Sequence, residues 1–317
     1  MEKPTILLAA ALPAATITEL NDLFDVIALP ADKGAIGPFL RERGAGVRGL
    51  ALRKTVVDAA FLDALPALEV ISSYSAGLDN LDVAHAKARG IRIENTSHIL
   101  ADDVANTAIG LVLAVTRDIV RADAYVRSGA WAKGGEYPLG RSVSRMKAGV
   151  VGLGAIGSAI AARLRALGAE VAYSGPSRKP VDLAYYADVA EMASACDLLV
   201  LTCPLSPATH HLVDAKVLEN LGPRGFLVNV ARGPVVDEQA LVAALAADGI
   251  RGAALDVLEF EPEVPEALIA HPRVVLTPHI GSATEETRQA MADNVVDALA
   301  RHFGIAGPRD RGGVRPA

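Results

Sequence analysis

Arg232, Glu261 and His279 are three residues of this 317-residue chain that together could hold an anion and move a proton. Arg232 closes the run Asn229-Val230-Ala231-Arg232-Gly233. A guanidinium at the end of a buried strand must find an anion, and a carboxylate meets it with paired hydrogen bonds. His279 follows Pro278 and precedes Ile280-Gly281-Ser282, and imidazole is the side chain most readily tuned to move a proton near neutral pH. Glu261, in Glu259-Phe260-Glu261-Pro262-Glu263, could hold one ring nitrogen so that the other carries a proton to donate. Beside a nicotinamide, the three define a reaction. Hydride would reach a carbonyl carbon, His279 would protonate the oxygen, and Arg232 would bind the carboxylate and polarise the carbonyl. Plainer readings stand next to this one: a histidine after proline is commonly a loop residue, and an acidic run can be merely solvated.

A nicotinamide needs a dinucleotide site, and Val150-Val151-Gly152-Leu153-Gly154-Ala155-Ile156-Gly157 has the pattern for one. Gly152 permits the tight turn, Gly154 lets a pyrophosphate approach the backbone, and Gly157 lets helix pack on strand. Ala155 and Ile156 open that helix, whose first N–H groups would face the anion; it runs through Leu167 and stops at Gly168. After the next strand, Glu170-Val171-Ala172-Tyr173, comes Ser174-Gly175-Pro176-Ser177-Arg178-Lys179-Pro180. An acid there would bond a ribose 2′-hydroxyl; none is present. Ser174, Ser177, Arg178 and Lys179 suit a 2′-phosphate instead. The expectation is NADP(H) in preference, with NAD(H) usable. A solvated basic loop is the alternative.

Positioning these groups requires α/β units, and the chain alternates accordingly. Strands are expected at Thr5–Ala9, Phe24–Leu29, Val47–Leu52, Leu68–Ser73 and Ile91–Asn95, then at Asp197–Leu201, Gly225–Val230, Ala253–Val257 and Arg273–His279. Such alternation implies parallel sheets whose strand ends share one edge. The loop at residues 74–80 follows one strand end; it is either an anion-holding nest or an ordinary turn. Ala101 to Val126 reads as one long helix with a buried face of Ile109, Leu111, Val112, Val115 and Ile119. Residues 128–145 form a Gly-rich arm carrying Trp131, expected to pack on a partner subunit. Thr284 to His302 is a final helix, and the tail 304–317 reads as frayed.

The net charge of −6 and a pI near 5.7 argue against nucleic-acid or membrane-surface binding. The two cysteines, Cys196 and Cys203, fit a reducing compartment. No signal peptide and no spanning segment is read, so a cytoplasmic location is expected. His210-His211 lacks a Cys, Asp or Glu at ligand spacing and reads as surface, His85 and His98 read as structural, and no metal site is expected.

Four motifs in order carry a resemblance: Gly152-Leu153-Gly154-Ala155-Ile156-Gly157, Asn229-Val230-Ala231-Arg232-Gly233, Asp256-Val257-Leu258-Glu259-Phe260-Glu261-Pro262 and Pro278-His279-Ile280-Gly281-Ser282. Over nearly its whole length the chain resembles the D-isomer-specific 2-hydroxyacid dehydrogenases. Asp102-Asp103-Val104-Ala105, Arg127-Ser128-Gly129-Ala130-Trp131 and Glu261-Pro262-Glu263-Val264-Pro265-Glu266 align it with the glyoxylate/hydroxypyruvate and hydroxyphenylpyruvate reductase branch. The resemblance implies two doubly wound parallel-sheet α/β domains, Rossmann-like and flavodoxin-like, with a cleft between them. Residues 1–98 plus 285–317 would bind substrate and 99–284 the dinucleotide. It implies Arg232, Glu261 and His279 as catalytic residues, and Ser75-Ala76-Gly77 on the substrate carboxylate. Asp256 would bond the nicotinamide carboxamide, Val230 would line the ring pocket with Ala231 and Gly281 nearby, and Cys203-Pro204 would flank the adenosine. It further implies a homodimer through residues 100–145. Asn106 stands where many relatives carry an acid, and Pro176 where NADPH-dependent relatives often carry arginine. The expected activity is NADPH-dependent reduction of a small 2-oxo acid, glyoxylate or hydroxypyruvate, to the D-2-hydroxy acid. The alternatives are an aryl-pyruvate reductase and, from another class, a non-catalytic dinucleotide-sensing module.

Overall fold

Long apolar runs punctuated by aspartates give this chain two parallel sheets wrapped in helices. The computed structural model describes residues 2–307 and 309. The chain divides into two compact units, residues 1–100 with 284–317, and residues 101–283. Most of the expected frayed tail lies outside the described residues.

The first unit runs β1 Thr5–Ala9, α1 Ala14–Leu23, β2 Asp25–Ala28, α2 Lys33–Arg43, β3 Val47–Leu52, α3 Ala59–Asp63, β4 Val70–Ser73, α4 Val83–Ala88 and β5 Arg92–Glu94. Its sheet has the order β2-β1-β3-β4-β5 and is parallel throughout. That is a doubly wound order whose direction of winding reverses between β1 and β3. Leu7, Leu50, Leu52, Leu62 and Ile71 are fully buried in its core. Asp32, Asp58 and Asp82 each accept a hydrogen bond from a first-turn N–H of α2, α3 and α4, which fixes where those helices start.

The second unit comprises α5 Ala101–Arg117, α6 Ile119–Arg127, β6 Lys147–Val151, α7 Ala155–Ala166, β7 Glu170–Ser174, β8 Ala184–Tyr186, α8 Val189–Ala195, β9 Leu198–Leu201, α9 Ala215–Leu221, β10 Phe226–Asn229, α10 Glu238–Ala246, β11 Gly252–Leu255, α11 Glu266–Ile269 and β12 Val274–Leu276. The last helix, α12 Glu285–His302, returns to the first unit. The seven strands take the order β12-β11-β10-β9-β6-β7-β8, all parallel. β9, β10 and β11 are buried along their whole length, as parallel strands covered on both faces must be. The winding reverses between β6 and β9, so the glycine-rich turn after β6 sits where such sheets bind ligands.

The expected single helix over residues 101–126 is corrected: the structure has two, broken at Asp118. Its φ of 57° is left-handed and ends the α5 ladder. Leu111, Val112 and Val115 are buried as expected, but Ile109 is only half-buried, and Ile119 opens α6 and is 51% exposed. Two elements were not legible in the sequence. α2 carries Gly34, Gly37 and Pro38, poor helix formers, and β8 is a three-residue edge strand.

Candidate active site

β12 ends at Leu276, and the chain then folds back over Asp256, which follows β11 and is 3% exposed. The Oδ1 of Asp256 accepts from Thr277 Oγ1 at 2.7 Å and from the Ile280 N–H at 2.8 Å. Its Oδ2 accepts from the Gly281 N–H at 2.9 Å, and its carbonyl accepts from the His279 N–H at 2.8 Å. These bonds hold His279 at a φ of 55°, a conformation that costs a non-glycine residue about 1–2 kcal/mol. The turn aims the ring at Glu261, with His279 Nδ1 2.9 Å from Glu261 Oε2. A carboxylate accepts, so Nδ1 donates and Nε2 is the nitrogen free to exchange a proton. Glu261 is itself held by the Leu258 N–H, which donates to its Oε1 at 3.2 Å.

Arg232 reaches the same place from β10. Asn229, 1% exposed, ties the turn: its Nδ2 donates to the Arg232 carbonyl at 2.9 Å and its Oδ1 accepts from the Ala231 N–H at 3.0 Å. The guanidinium donates to the Ala231 carbonyl at 2.7 Å. Any Cβ at Gly233 would collide with the Leu258 carbonyl. Only glycine lets this turn lie against the segment that carries Glu261. A cavity of about 500 Å³ results, lined by Arg232, Glu259, Glu261, Glu263 and His279, among others.

The dinucleotide pattern is equally specific. A Cβ at Gly152, whose φ is +95°, would lie 2.8 Å from the Cys203 nitrogen, and one at Gly157 would strike the Gly152 carbonyl. At Gly154 a Cβ would meet nothing within 4 Å; this is the open side of the turn. α8, α9 and α10 have their first N–H groups taken by Asp188, Asp214 and Asp237. α7 is preceded by Gly154, which offers no side-chain cap, so the opening N–H groups at Ala155, Ile156 and Gly157 can receive an anion. The residues present fit a pyrophosphate.

Around that turn, Val230 and Ala231 are buried at the end of β10, and Cys203 is buried at the end of β9, followed by Pro204. Burial pushes the Cys203 thiol up to about 11, so it packs as a neutral group. Gly281 donates to Asp256, and its carbonyl accepts from Thr107 at 3.2 Å. Among the four residues expected on a 2′-phosphate, Ser174 is 3% exposed and its carbonyl accepts from the Gly152 N–H at 2.8 Å. Lys179 lays its ammonium on the Leu153 carbonyl of the glycine-rich turn. Ser177 and Arg178 are exposed, and Arg178 makes no hydrogen bond or ion pair among the described residues. Asn106 accepts from Arg163 at 2.9 Å, and Arg163 also bonds Asp102 at 2.9 Å, so the start of α5 is pinned to α7.

Ser75, Ala76 and Gly77 lie in the first unit, just past the carboxyl end of β4. The Ser75 carbonyl accepts from the Thr96 N–H at 3.2 Å, that of Ala76 from Asn95 Nδ2 at 3.1 Å, and that of Gly77 from Ser75 Oγ at 3.0 Å. With the carbonyls satisfied inside the unit, the N–H groups are the polar groups this loop can offer a ligand.

Sequence reasoning missed the acid partners of two histidines, one of them Asp63, whose Oδ1 lies 2.7 Å from His85 Nε2. His211 was read without an acid, but Glu259, 48 residues on, places Oε1 at 2.8 Å from its Nε2. The Glu259 N–H in turn donates to Glu238 Oε2 at 3.2 Å. Burial pushes the Glu238 carboxyl above the usual range; the bond from the Glu259 N–H opposes this, and repulsion from the Glu259 carboxylate adds a smaller push upward. The His211–Glu259 pair could not be read from spacing because it depends on the turn after β9 meeting the turns after β10 and β11.

A family model described as the NAD-binding domain of D-isomer-specific 2-hydroxyacid dehydrogenases matches residues 109–281. A hydroxyphenylpyruvate reductase of Plectranthus scutellarioides is 49% identical over 78% of this chain and 79% of its own. A glyoxylate/hydroxypyruvate reductase of Arabidopsis thaliana has the same identity and coverage. Among solved structures, an NADPH-dependent glyoxylate/hydroxypyruvate reductase of Sinorhizobium meliloti, in complex with NADP and malonate, is 38% identical. It superposes with a TM-score of 0.87 over 100% of both chains.

Proposed function

The chain belongs to the D-isomer-specific 2-hydroxyacid dehydrogenase family, and we propose that it reduces a small 2-oxo acid, glyoxylate or hydroxypyruvate, with NADPH to the D-2-hydroxy acid. The observation that carries this reading is the His279–Glu261 pair at 2.9 Å on a cavity that also takes in Arg232. Bound nicotinamide supplies two electrons as hydride to the carbonyl carbon. The protein's own groups do the rest. Arg232 pairs with the carboxylate and polarises the carbonyl. Nε2 of His279 gives its proton to the carbonyl oxygen, while Glu261 keeps Nδ1–H and the ring plane fixed. The N–H groups of Ser75, Ala76 and Gly77 serve as donors to a carboxylate.

The preference for NADPH is supported by the missing acid after β7, by Arg178, which is unpaired among the described residues, and by the Sinorhizobium relative, which is NADPH-dependent. An aryl-pyruvate substrate is the second reading, favoured by the relative named hydroxyphenylpyruvate reductase at 49% identity. A homodimer through the arm and α6 is supported by exposed apolar side chains there. Two free, buried cysteines support a reducing, cytoplasmic location; among the described residues, no helix is long and apolar enough to cross a membrane.

Initial rates with NADPH and NADH on glyoxylate, hydroxypyruvate and 4-hydroxyphenylpyruvate test the reading. NADPH preference on a small oxo acid is expected. Equal or better use of NADH overturns the cofactor assignment. A higher kcat/KM on the aryl substrate selects the second reading, and absence of turnover with intact dinucleotide binding favours a sensing module.

A further inference from the structure

Reduction of a 2-oxo acid makes no use of a cluster that the second unit builds beside the cavity. His210 and His211 are adjacent in sequence, yet their rings stack, with centroids 4.0 Å apart and 27° between planes. On an extended chain neighbouring side chains point to opposite sides. Here the left-handed φ of 50° at His211 turns both to the same side, and the His211 N–H holds the turn by donating to the Pro234 carbonyl at 2.8 Å. Glu259 closes the group with Oε1 2.8 Å from His211 Nε2. One ligand atom from each of the three residues lies within 4.8 Å of the others.

Two imidazoles and one carboxylate are a donor set for a borderline divalent ion such as Zn²⁺. Mg²⁺ and Ca²⁺ prefer oxygen throughout. Three protein ligands leave a fourth, open position for water or an anion. Around such an ion the ligand atoms stand closer, at roughly 3.3 Å for bonds of about 2.0 Å. His210 is exposed and can swing to close that gap. Glu259 is already oriented by further bonds. The Glu238 N–H donates to Glu259 Oε2 at 3.4 Å, and Glu238 Oε2 accepts from the Glu259 N–H at 3.2 Å. Supporting bonds of this kind hold metal ligands in place.

We propose that His210, His211 and Glu259 bind one divalent transition-metal ion of the Zn²⁺ class on the wall of the cavity that holds Arg232, Glu261 and His279. Glu259 is both ligand and lining residue, so a bound ion places positive charge on a wall that otherwise carries the carboxylates of Glu259, Glu261 and Glu263.

The test is calorimetric titration of ZnCl₂ into untagged full-length protein, repeated with CoCl₂ while the visible absorption of tetrahedral Co²⁺ is followed. One ion per chain is expected. His210→Ala, at an exposed position, should weaken binding at least ~10-fold while leaving metal-free turnover and the melting temperature as in wild type. Glu259→Gln should weaken binding similarly. The absence of saturable binding overturns the proposal, as does binding that His210→Ala leaves unchanged. So does binding that persists in His210→Ala and disappears in His279→Ala, which puts the ion on the Glu261–His279 pair.

Discussion

Asp256 spends both carboxylate oxygens on the turn that bears His279, accepting from Thr277, Ile280 and Gly281 at 2.7–2.9 Å. Asn at this position cannot accept on both sides, and a hydrogen bond to a charged group is worth about 1.5–3 kcal/mol. Asp256→Asn is expected to lower both the melting temperature and kcat while leaving the KM for dinucleotide nearly unchanged. A raised cofactor KM at constant melting temperature would instead fit contact with the carboxamide alone. His279→Gln, which removes the proton donor, should reduce kcat by about 10²–10⁴-fold with dinucleotide binding retained; fluorescence titration and steady-state rates check both halves. Glu238 offers a pH test. Its folded-state pKa is raised by burial, so the stability it contributes is complete below the unfolded carboxylate range and is lost as pH rises through the folded value. Glu238→Gln should therefore raise the melting temperature at pH 8 and leave it unchanged at pH 4. Arg232 and His279 stand out in the sequence because a guanidinium and an imidazole follow apolar strand runs, whereas Glu261 sits in an acidic run and is singled out by the resemblance. The Asp256 clamp and the His211–Glu259 pair do not stand out, since each joins residues far apart through turns that the folded sheet brings together.

β9, β10 and β11 are legible as elements because two-sided burial demands unbroken apolar runs. The aspartates before α8, α9 and α10 mark helix starts just as plainly. The break at Asp118 is not legible, because a single left-handed residue leaves the 3.6-residue apolar spacing of α5 intact up to that point. The glycine-rich turn allows folding and binding to be separated. A methyl at Gly157 collides with the Gly152 carbonyl, while one at Gly154 meets nothing within 4 Å. Gly157→Ala should lower the melting temperature and abolish dinucleotide binding. Gly154→Ala should melt like wild type yet bind dinucleotide weakly, because the methyl takes the space of the pyrophosphate; paired melts with and without NADPH distinguish the two.

At the scale of the whole molecule, the sheet orders β2-β1-β3-β4-β5 and β12-β11-β10-β9-β6-β7-β8 account for the burial of most apolar runs, but not for the arm at residues 128–145 and the helix before it. Ile119, Val120 and Val126 are each more than half exposed, Trp131 is 65% exposed and Leu139 is 89% exposed. The segment is nonetheless anchored. Tyr137 donates to Asp118 Oδ2 at 2.7 Å, and Arg141 bonds the Arg224 carbonyl and Asp197, each at 2.9 Å. Apolar side chains exposed on an anchored scaffold are what the proposed dimer requires of this surface. The proposed partner is a second copy of the chain, joined through the same patch on both sides. Light scattering behind gel filtration should give about twice the chain mass of 32.9 kDa. A double variant, Trp131→Ala with Leu139→Asp, removes one large apolar contact and places a charge in the other. It should shift the mass to that of one chain at low micromolar concentration, with far-ultraviolet circular dichroism unchanged. A monomeric wild-type protein at the same concentration would remove the dimer and leave the exposed arm to another partner.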